Sequence, residues 1–431
     1  MTLLVTTFPD CMSVPGVQTR SDTQPLRDAP ARELFLGRQP ILDRKQNLAA
    51  FELLFRAGHF NGAKIEDDLF ASATVINHAF TELGLEQVLG KHQGFINLSA
   101  SLLMSDVIEL LPPNKIVLEI LETVKVTSAL IARCRELKAA GYTLALDDFR
   151  GYEREFTPLV QVVDIVKVDV QDLPAHQLEL TTHRLQQLGV RLLAEKVDSR
   201  GQVDRCLELG YELFQGYYFA KPSIITARRL SGSESALARL LDVLLAERSS
   251  DIDAVLSQYP QLEDALLRLA RAIETAEPFA APAVRRPQRW LPLLIYMVSS
   301  APEAEFPSPL LILAATRGKL MELLARAIRT EDRGFQERAF LTGTLSLVNA
   351  LLPARLTEIV STLPVADDVR SALLTRQGEL GALLALVQAL ETAELSAIEL
   401  ALSRVPALDH SLVINLQVEA MRWANLIGES G

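Results

Sequence analysis

The stretch Leu144-Ala-Leu-Asp-Asp-Phe149 is a short apolar run that ends in two adjacent carboxylates, Asp147 and Asp148, and then turns into Arg150-Gly151-Tyr152. A run of this kind is typical of a buried strand that carries acidic side chains to the rim of a sheet. Other runs in the N-terminal half also end in a polar side chain. Their spacing therefore decides whether these side chains meet at one site.

Short apolar runs alternate with amphipathic helical stretches on both sides of this strand. The runs are Gly94 to Ser99, Ile116 to Ile120, Thr143 to Asp147, Ile165 to Asp169, Arg191 to Glu195 and Tyr211 to Gln215. Such alternation is typical of βα units that build a parallel sheet. Two earlier runs, Glu33 to Ile41 and Ala49 to Phe55, are separated by Asp43-Arg-Lys-Gln-Asn47 and predict a β-hairpin that opens the domain.

A polar side chain lies at or near the end of each run. In chain order these are Glu52, Asn97, Glu119, Asp147 with Asp148, Lys167, Glu195 and Gln215. Positions 97, 119, 147, 167, 195 and 215 are separated by 22, 28, 20, 28 and 20 residues. Each interval is about the length of one βα unit. In a parallel barrel the carboxyl ends of the strands face one mouth, and the side chains would ring one pocket. An open doubly wound sheet is the alternative and would spread them along an edge. The pattern favours the barrel.

The composition excludes several classes of protein. A chain of 431 residues with 49% hydrophobic and 23% charged residues is globular, and at about 100 to 200 residues per domain it predicts two or three domains. The net charge of -11 argues against nucleic acid as a main partner, since phosphate backbones need clustered Lys and Arg. The most apolar stretches, such as Leu291 to Val298, are shorter than the ~18 residues of a spanning helix. Without a secretory signal or disulfide spacing, the chain is expected to be cytoplasmic and not inserted in a membrane.

The chain divides into three predicted parts. Residues 1–30 carry four prolines among polar residues and predict a mobile tail. Residues 31–228 hold the strand and helix alternation, and predict an α/β barrel. Residues 229–431 show continuous Leu- and Ala-rich helical periodicity with prolines at the boundaries, and predict an all-helical domain.

Five carboxylates and an amide at one barrel mouth would repel one another unless cations neutralise them. Hard oxygen ligands of this kind suit Mg²⁺ or Mn²⁺, and the set has enough ligands for two ions. Two such ions can bridge a phosphodiester oxygen and activate a water, while Lys167 holds that water or offsets charge on the phosphorus group. The ring therefore predicts phosphodiester hydrolysis. Asp164 and Asp169, which flank Lys167, are interpreted as capping or pairing residues.

Several motifs resemble the EAL family of cyclic di-GMP phosphodiesterase barrels over about Glu33 to Pro222. The signature Glu-Ala-Leu appears as Glu52-Leu-Leu54. The other matches are Phe95-Ile-Asn97-Leu-Ser99, Glu119-Ile-Leu-Glu122, Asp147-Asp148-Phe149-Arg150, Lys167-Val-Asp169, Ala194-Glu195-Lys196-Val197-Asp198 and Gln215-Gly216-Tyr217. Their number and their order make the resemblance specific.

The resemblance implies a (β/α)8 barrel whose first strand runs antiparallel. It places Glu52, Asn97, Glu119, Asp147, Asp148 and Glu195 at the metal centre. It gives catalytic roles to Lys167, Glu52, Gln215 and Glu122. Among these, Glu122 would brace the loop that follows the strand end at Asp147 and Asp148. It implies substrate contacts from Arg56, Gln39 and Gln215.

The departures from the family pattern concern the scaffold around the ligands. Arg150 stands where the family has glycine after the Asp-Asp-Phe segment, and the Gly-Thr-Gly loop is replaced by Arg150-Gly151-Tyr152. Lys196 replaces the glycine beside Glu195, and Leu53 replaces alanine. Because a loop that positions reacting groups contributes much of the rate enhancement, these changes favour weak or absent hydrolysis.

The helical part resembles the HDOD domain of proteins in which it follows an altered EAL domain, on the segments Phe340 to Leu347 and Ala420 to Asn425. His410 is the one histidine beyond Asp251, so a metal centre of the HD type cannot be assembled there. The resemblance implies a bacterial signal transduction protein whose HDOD domain contacts a protein partner, and it allows a homodimer through the changed loop. Three readings stay open: a cyclic di-GMP sensor, which we favour, an active Mg²⁺- or Mn²⁺-dependent phosphodiesterase that produces pGpG, and a pure protein-binding scaffold.

Overall fold

The computed structural model describes residues 34–57, 84–151, 156–171, 173–216, 267–271, 273, 290, 292–294, 296, 309–350, 356–363 and 365–429. The predicted tail over residues 1–30 and the predicted domain boundary between residues 228 and 229 lie outside these ranges. Both stay predictions.

A β-hairpin opens the described chain, as predicted. Strand β1 (Leu34–Asp43) pairs antiparallel with β2 (Leu48–Ala57). The Asp43 carboxylate closes the turn between them, because its Oδ1 accepts hydrogen bonds from the backbone N–H groups of Lys45 and Asn47, both at 2.8 Å. A side chain that satisfies the backbone two and four residues on is a common way for aspartate to stabilise a turn.

The eight strands form a closed barrel. The other strands are β3 (Gln93–Leu98), β4 (Ile116–Ile120), β5 (Thr143–Phe149), β6 (Ile165–Asp169), β7 (Arg191–Glu195) and β8 (Leu213–Phe214), and the order around the barrel is the order along the chain. Strands β2 to β8 pair in parallel, whereas β1 pairs antiparallel with both β2 and β8. The predicted barrel with an antiparallel first strand is confirmed, and the open doubly wound alternative is wrong.

Helices cover the outside of the barrel and fill the connections between its strands. They are α1 (Leu85–Leu89), α2 (Ala100–Leu103), α3 (Ser128–Ala139), α4 (Thr157–Val160), α5 (Ala175–Gln187) and α6 (Arg200–Glu208), with a short 3-10 helix at Asp106–Leu110. Outward-facing strand residues such as Leu118 and Leu146 are fully buried beneath them. Strands buried on both faces read as continuous apolar runs, which is why the runs were visible in the sequence.

The C-terminal part is helical, as predicted. Its helices are α7 (Pro309–Ile328), α8 (Arg333–Leu345), α9 (Leu356–Thr362), α10 (Asp367–Thr375), α11 (Gly378–Thr392), α12 (Leu395–Ser403) and α13 (His410–Glu429). Arg317 of α7 ties the bundle together, since its guanidinium donates to both carboxylate oxygens of Glu391 on α11, at 2.9 and 2.6 Å. None of the helices that the structure describes is long and apolar enough to cross a bilayer.

Strand β1 also carries the main polar contact between the barrel and the helical part. Arg38 is half-buried, and its guanidinium donates to the Val88 carbonyl at 2.6 Å, to Asn425 Oδ1 at 3.0 Å and to Thr316 Oγ1 at 3.1 Å. Asn425 on α13 donates in turn to the Gln87 carbonyl at 2.8 Å. The helical part is thus anchored on the outer face of the strand whose inner face reaches the barrel mouth.

Candidate active site at the barrel mouth

The barrel interior has an apolar layer with a polar layer directly above it. The apolar layer takes one buried residue from each strand: Ile41, Ala50, Phe95, Val117, Ala145, Ile165, Leu193 and Leu213. Side chains alternate between the faces of a strand, so the residue two positions further toward the mouth points into the barrel again. Those residues are Gln39, Glu52, Asn97, Glu119, Asp147, Lys167, Glu195 and Gln215. The strand period therefore builds the predicted ring, and it adds Gln39 because β1 runs in the opposite direction.

Lys167 lies at the centre of this ring. Its Nζ is 2.7 Å from Glu119 Oε1, 2.7 Å from Asp147 Oδ1, 2.9 Å from Glu195 Oε1 and 3.7 Å from Glu52 Oε2. The side chain is fully buried. Burial of an ammonium group is costly unless opposite charges surround it, and four carboxylates do so here.

The charges of the ring shift the protonation equilibria of its members. Burial alone lowers the pKa of Lys167, but the carboxylates of Glu119, Glu195, Glu52 and Asp147 outweigh it and raise that pKa well above its ordinary value. Burial raises the pKa of Glu195 to about 7, against the opposing effect of Lys167. Burial also raises the pKa of Glu119 well above its ordinary value. Four acids that share one ammonium would carry surplus negative charge if all were ionised, so the ring takes up protons more readily, and a bound cation would relieve the same surplus.

Amide groups hold Glu52 from both sides. Asn97 Nδ2 donates to Glu52 Oε1 at 3.0 Å, and Gln215 Nε2 donates to Glu52 Oε2. Gln215 Nε2 also donates to Gln39 Oε1 at 3.1 Å. These bonds fix the orientation of the Asn97 and Gln215 side chains. Because their amide nitrogens bind Glu52, their amide oxygens face away from it.

Several oxygen atoms of the ring are buried without a hydrogen-bond donor among the described residues. They are Asn97 Oδ1, Gln215 Oε1, Glu119 Oε2 and Glu195 Oε2. A buried oxygen without a donor is costly and usually marks a place for an ion, a water or a ligand. All are hard donors, which fits Mg²⁺ or Mn²⁺ in chemistry. Within the described ranges, however, no three acidic, imidazole or thiol side chains already surround one point as a metal shell, since the carboxylates converge on Lys167.

Asp148 does not belong to the group around Lys167. Its Oδ1 accepts from Lys196 Nζ at 2.6 Å, and its Oδ2 accepts from Arg150 Nη2 at 2.7 Å. Lys196 Nζ also lies 2.6 Å from Oδ2 of the fully buried Asp169. Burial raises the pKa of Asp148, but the hydrogen bonds from Lys196 and Arg150 outweigh it and lower that pKa below its ordinary value. Asp148, Lys196 and Arg150 thus form a separate charged group at the rim.

The structure describes the remaining predicted residues to different extents. Glu122 lies in the exposed turn after β4, and residues 152–155 of the loop after β5 are outside the described ranges, so its bracing role stays a prediction. Arg56 lies on β2 opposite Phe35, but its side chain is outside the described set. Asp169 is a pairing residue, as interpreted, and Asp164 is another, since it lies 2.8 Å from Lys138 Nζ.

Sequence reasoning missed the role of Lys196. Its φ of 53° lies in the left-handed region that favours glycine, and Asp148 has a φ of 44°. The signal in the sequence was a lysine at the position where the EAL family has glycine. The sequence did not indicate which acid this lysine would meet.

The chain matches one protein-family model and relatives that align with most of its length. The EAL domain model matches residues 24–222, which include all eight strands. YuxH of Bacillus subtilis, an uncharacterized protein, is 32% identical over 377 residues, covering 83% of this chain and 91% of YuxH. The cyclic di-GMP phosphodiesterase CdgJ of Vibrio cholerae is 32% identical over 405 residues, covering 90% of this chain and 92% of CdgJ.

A solved structure of YkuI, a Bacillus subtilis protein with an EAL domain in complex with substrate c-di-GMP and calcium, is 21% identical, covers 56% of this chain and 69% of YkuI, and has a TM-score of 0.38. The sequence comparisons extend much further. Since the EAL model spans the whole barrel and two relatives align with this chain along 91% and 92% of their lengths, the chain belongs to the EAL domain family.

Proposed function

We propose that the barrel mouth binds cyclic di-GMP and hydrolyses it weakly or not at all, so that the chain acts as a cyclic di-GMP sensor in bacterial signalling. The observation that carries this proposal is the division of the Asp147-Asp148 pair. The acid ring around Lys167 is complete, whereas both oxygens of Asp148 are bound by cations of the chain itself. A site of this kind retains the residues for ligand binding but lacks one of the acids for phosphodiester hydrolysis.

Binding of the ligand would depend on a divalent cation. Cyclic di-GMP carries two negative phosphodiester groups, and the ring holds four carboxylates against one ammonium, so the two would repel each other. Mg²⁺ or Mn²⁺ would be held by Glu52, Asn97, Glu119, Asp147 and Glu195. The donor-free oxygens of Asn97, Glu119 and Glu195 support this assignment. When bound, the ion would neutralise the ring and polarise a phosphodiester oxygen.

Residues of the chain would supply the other contacts. Lys167 is held in the charged form by its carboxylates and would offset negative charge on the reacting phosphate or orient a water. The oxygen of Gln215 has no donor among the described residues and is suited to accept a hydrogen bond from ligand or water. Gln39 and Arg56, on β1 and β2, are proposed as further substrate contacts, with Glu122 as the brace of the neighbouring loop.

Weak turnover follows from the position of the second acid. Reacting groups held in near-attack geometry account for several kcal/mol of catalysis, and an acid turned away from its partners no longer contributes. Arg150 directly follows β5, and its guanidinium is bound to Asp148.

The helical part is proposed to be an HDOD domain that contacts a protein partner, in residues 229–431 of a chain whose barrel domain is residues 31–228. Its last histidine, His410, is paired with Glu399 at 3.2 Å and has no further histidine near it in the C-terminal sequence. This supports an output role and not hydrolysis. A homodimer through the loop after β5 is part of the same proposal.

An active phosphodiesterase is the second candidate. It is favoured by the complete set of ring residues and by the likeness to CdgJ, which is itself a cyclic di-GMP phosphodiesterase. A pure scaffold is the third, in which the ring serves the stability of the barrel.

One experiment separates these candidates. The full-length protein is titrated with cyclic di-GMP by calorimetry, in Mn²⁺ and in excess EDTA, and the products are followed by chromatography. Binding in Mn²⁺ with little or no pGpG is the expected result. Rapid turnover that Glu52→Ala abolishes would establish the enzyme instead, and absence of binding in both buffers would leave the scaffold.

A further inference from the structure

We infer that Lys196, assisted by Arg150, takes the place of the second divalent cation, so that the barrel mouth binds one metal ion and Asp148 is not a metal ligand. This inference rests on the proposed metal-dependent binding of cyclic di-GMP. It concerns the number of ions that the site holds and which of its acids the chain itself neutralises.

The first step is the geometry of Asp148. Each of its oxygens already has a cationic donor within hydrogen-bond distance, Lys196 Nζ at 2.6 Å and Arg150 Nη2 at 2.7 Å. The predicted two-ion site includes Asp148 among its six ligands. Each oxygen keeps a second lone pair, but an ion that used it would lie close to the bound ammonium or guanidinium group and be repelled by that positive charge.

The second step is Asp169, which shares the same lysine. Its carboxylate is fully buried, and Lys196 Nζ lies 2.6 Å from its Oδ2, while Arg150 Nε lies 3.7 Å from the same atom. A buried carboxylate needs a compensating charge. Lys196 therefore bridges two acids, which is the electrostatic task of a bridging cation. An ion that displaced it would leave Asp169 without its nearest positive charge.

The third step is the backbone. Lys196 has a φ of 53° and Asp148 a φ of 44°, and conformations of this kind carry strain in residues other than glycine. The two strained residues face each other across the ion pair. The strain persists because the surrounding contacts hold it, and strained residues of this type concentrate at functional sites.

The same strain provides a mild variant for the test. Glycine accepts the backbone conformation of residue 196 without strain, so Lys196→Gly removes the ammonium while relieving that strain, which offsets part of the cost of leaving Asp169 without its nearest cation. Lys196→Arg keeps the charge at this position. Lys138→Ala is the matched control, because Lys138 forms a comparable pair with Asp164 at 2.8 Å on the outside of the barrel.

The experiment counts bound Mn²⁺ per chain by equilibrium dialysis and by electron paramagnetic resonance, in the full-length wild type, Lys196→Gly, Lys196→Gly/Arg150→Gly, Lys196→Arg, Asp148→Asn and Lys138→Ala. Circular dichroism confirms that each variant is folded. We expect one uncoupled ion in the wild type, Lys196→Arg, Asp148→Asn and Lys138→Ala. The double glycine variant should bind two ions, which would give a spin-coupled spectrum. Lys196→Gly alone should bind a second ion at least ~10-fold more tightly than the wild type does.

Two ions in the wild type would overturn the inference, as would loss of the ion in Asp148→Asn or no gain of an ion in the double variant. Calorimetry with cyclic di-GMP on the same samples tests the proposed function separately. One ion in the wild type and two in the double variant, without any cyclic di-GMP binding, would support the cation replacement and overturn the sensor. Cyclic di-GMP binding with two ions in the wild type would do the reverse.

Discussion

Asp147 and Asp148 are neighbours in the sequence but bind different lysines: Asp147 Oδ1 lies 2.7 Å from Lys167 Nζ, and Asp148 Oδ1 lies 2.6 Å from Lys196 Nζ. Adjacent side chains of a strand point to opposite faces, and β5 is also irregular here, with a φ of 44° at Asp148 and a shift in its pairing with β6 between Leu146 and Phe149. The two lysines also differ in environment, since the Lys167 side chain is fully buried and that of Lys196 is 44% exposed. Loss of one lysine should therefore affect the stability of the protein much more than loss of the other.

Replacement of the central lysine should destabilise the barrel strongly. Lys167→Met leaves four carboxylates without their shared cation, and breaking a buried ion pair by removing one partner costs about 3 to 5 kcal/mol. Urea unfolding in EDTA measures this loss. Mg²⁺ should restore more stability to Lys167→Met than to the wild type, because it supplies the missing positive charge.

The partly exposed pair of Lys138 and Asp164 is the control for that variant. Lys138→Met removes a surface ion pair and should cost less than about 1 kcal/mol. Equal losses from Lys167→Met and Lys138→Met would show that the ring does not depend on its lysine.

The contact between helices α7 and α8 should not tolerate a methyl group at Gly343. A Cβ atom there would lie 2.7 Å from the Arg317 carbonyl oxygen and 2.8 Å from Gly318 Cα, both backbone atoms that cannot move aside easily. Gly343→Ala should lower the free energy of unfolding by about 1 to 3 kcal/mol, the usual cost of overpacking. Gly334→Ala in the same helix meets its nearest atom at 3.4 Å, at the end of the Arg338 side chain, and should change stability little. A larger loss at Gly334 than at Gly343 would contradict the packing described here.

Removal of Arg38 should loosen the contact between the barrel and the helical part. Arg38→Leu deletes hydrogen bonds to Val88, Asn425 and Thr316, and it leaves those buried groups without their donor. Lost hydrogen bonds to a charged group cost about 1.5 to 3 kcal/mol each in favourable cases, so a loss of a few kcal/mol is expected. Limited proteolysis should release a barrel fragment faster from Arg38→Leu than from Arg191→Leu, whose pair with Glu212 is exposed. Equal rates would show that Arg38 does not anchor the helical part.

His92 should make the protein less stable in mild acid. Burial, together with the charge of Lys91, lowers the pKa of His92 to about 4 from its ordinary value of 6.5. The unfolded chain therefore binds a proton that the folded chain does not, and stability is lost as the pH falls from about 6.5 toward 4. The drop in melting temperature between pH 7.5 and pH 5 should be smaller in His92→Gln than in the wild type. His183→Gln, on the exposed face of α5, should behave as the wild type. An unchanged drop in His92→Gln would assign the acid sensitivity to other groups.

Much of the barrel and of the ring follows from local sequence pattern. Glu195 closes an apolar run and Glu119 lies one residue before the end of another, which is why both were predicted at or near strand ends. The period of two residues along a strand is a local property, so it determines that these side chains share the inner face with Val117 and Leu193 one layer below. The antiparallel first strand came from the resemblance and not from the pattern, since a hairpin by itself does not determine which neighbour its first strand takes.

Pairing between distant residues was decided by the tertiary structure. Gln39 meets Gln215 across 176 positions and Arg38 meets Asn425 across 387, and these contacts depend on barrel closure and helix docking. The partners of Lys167 and Lys196 depend in the same way on strand register and on the backbone turn at Asp148. The sequence by itself determined that a polar side chain at or near the end of each strand from β2 to β8 reaches the barrel mouth, because alternation along a strand is a local rule, but it did not separate Asp148 from Asp147. Only the tertiary structure decided which acid each lysine neutralises, because electrostatic pairing depends on distances between strands that the linear order does not contain.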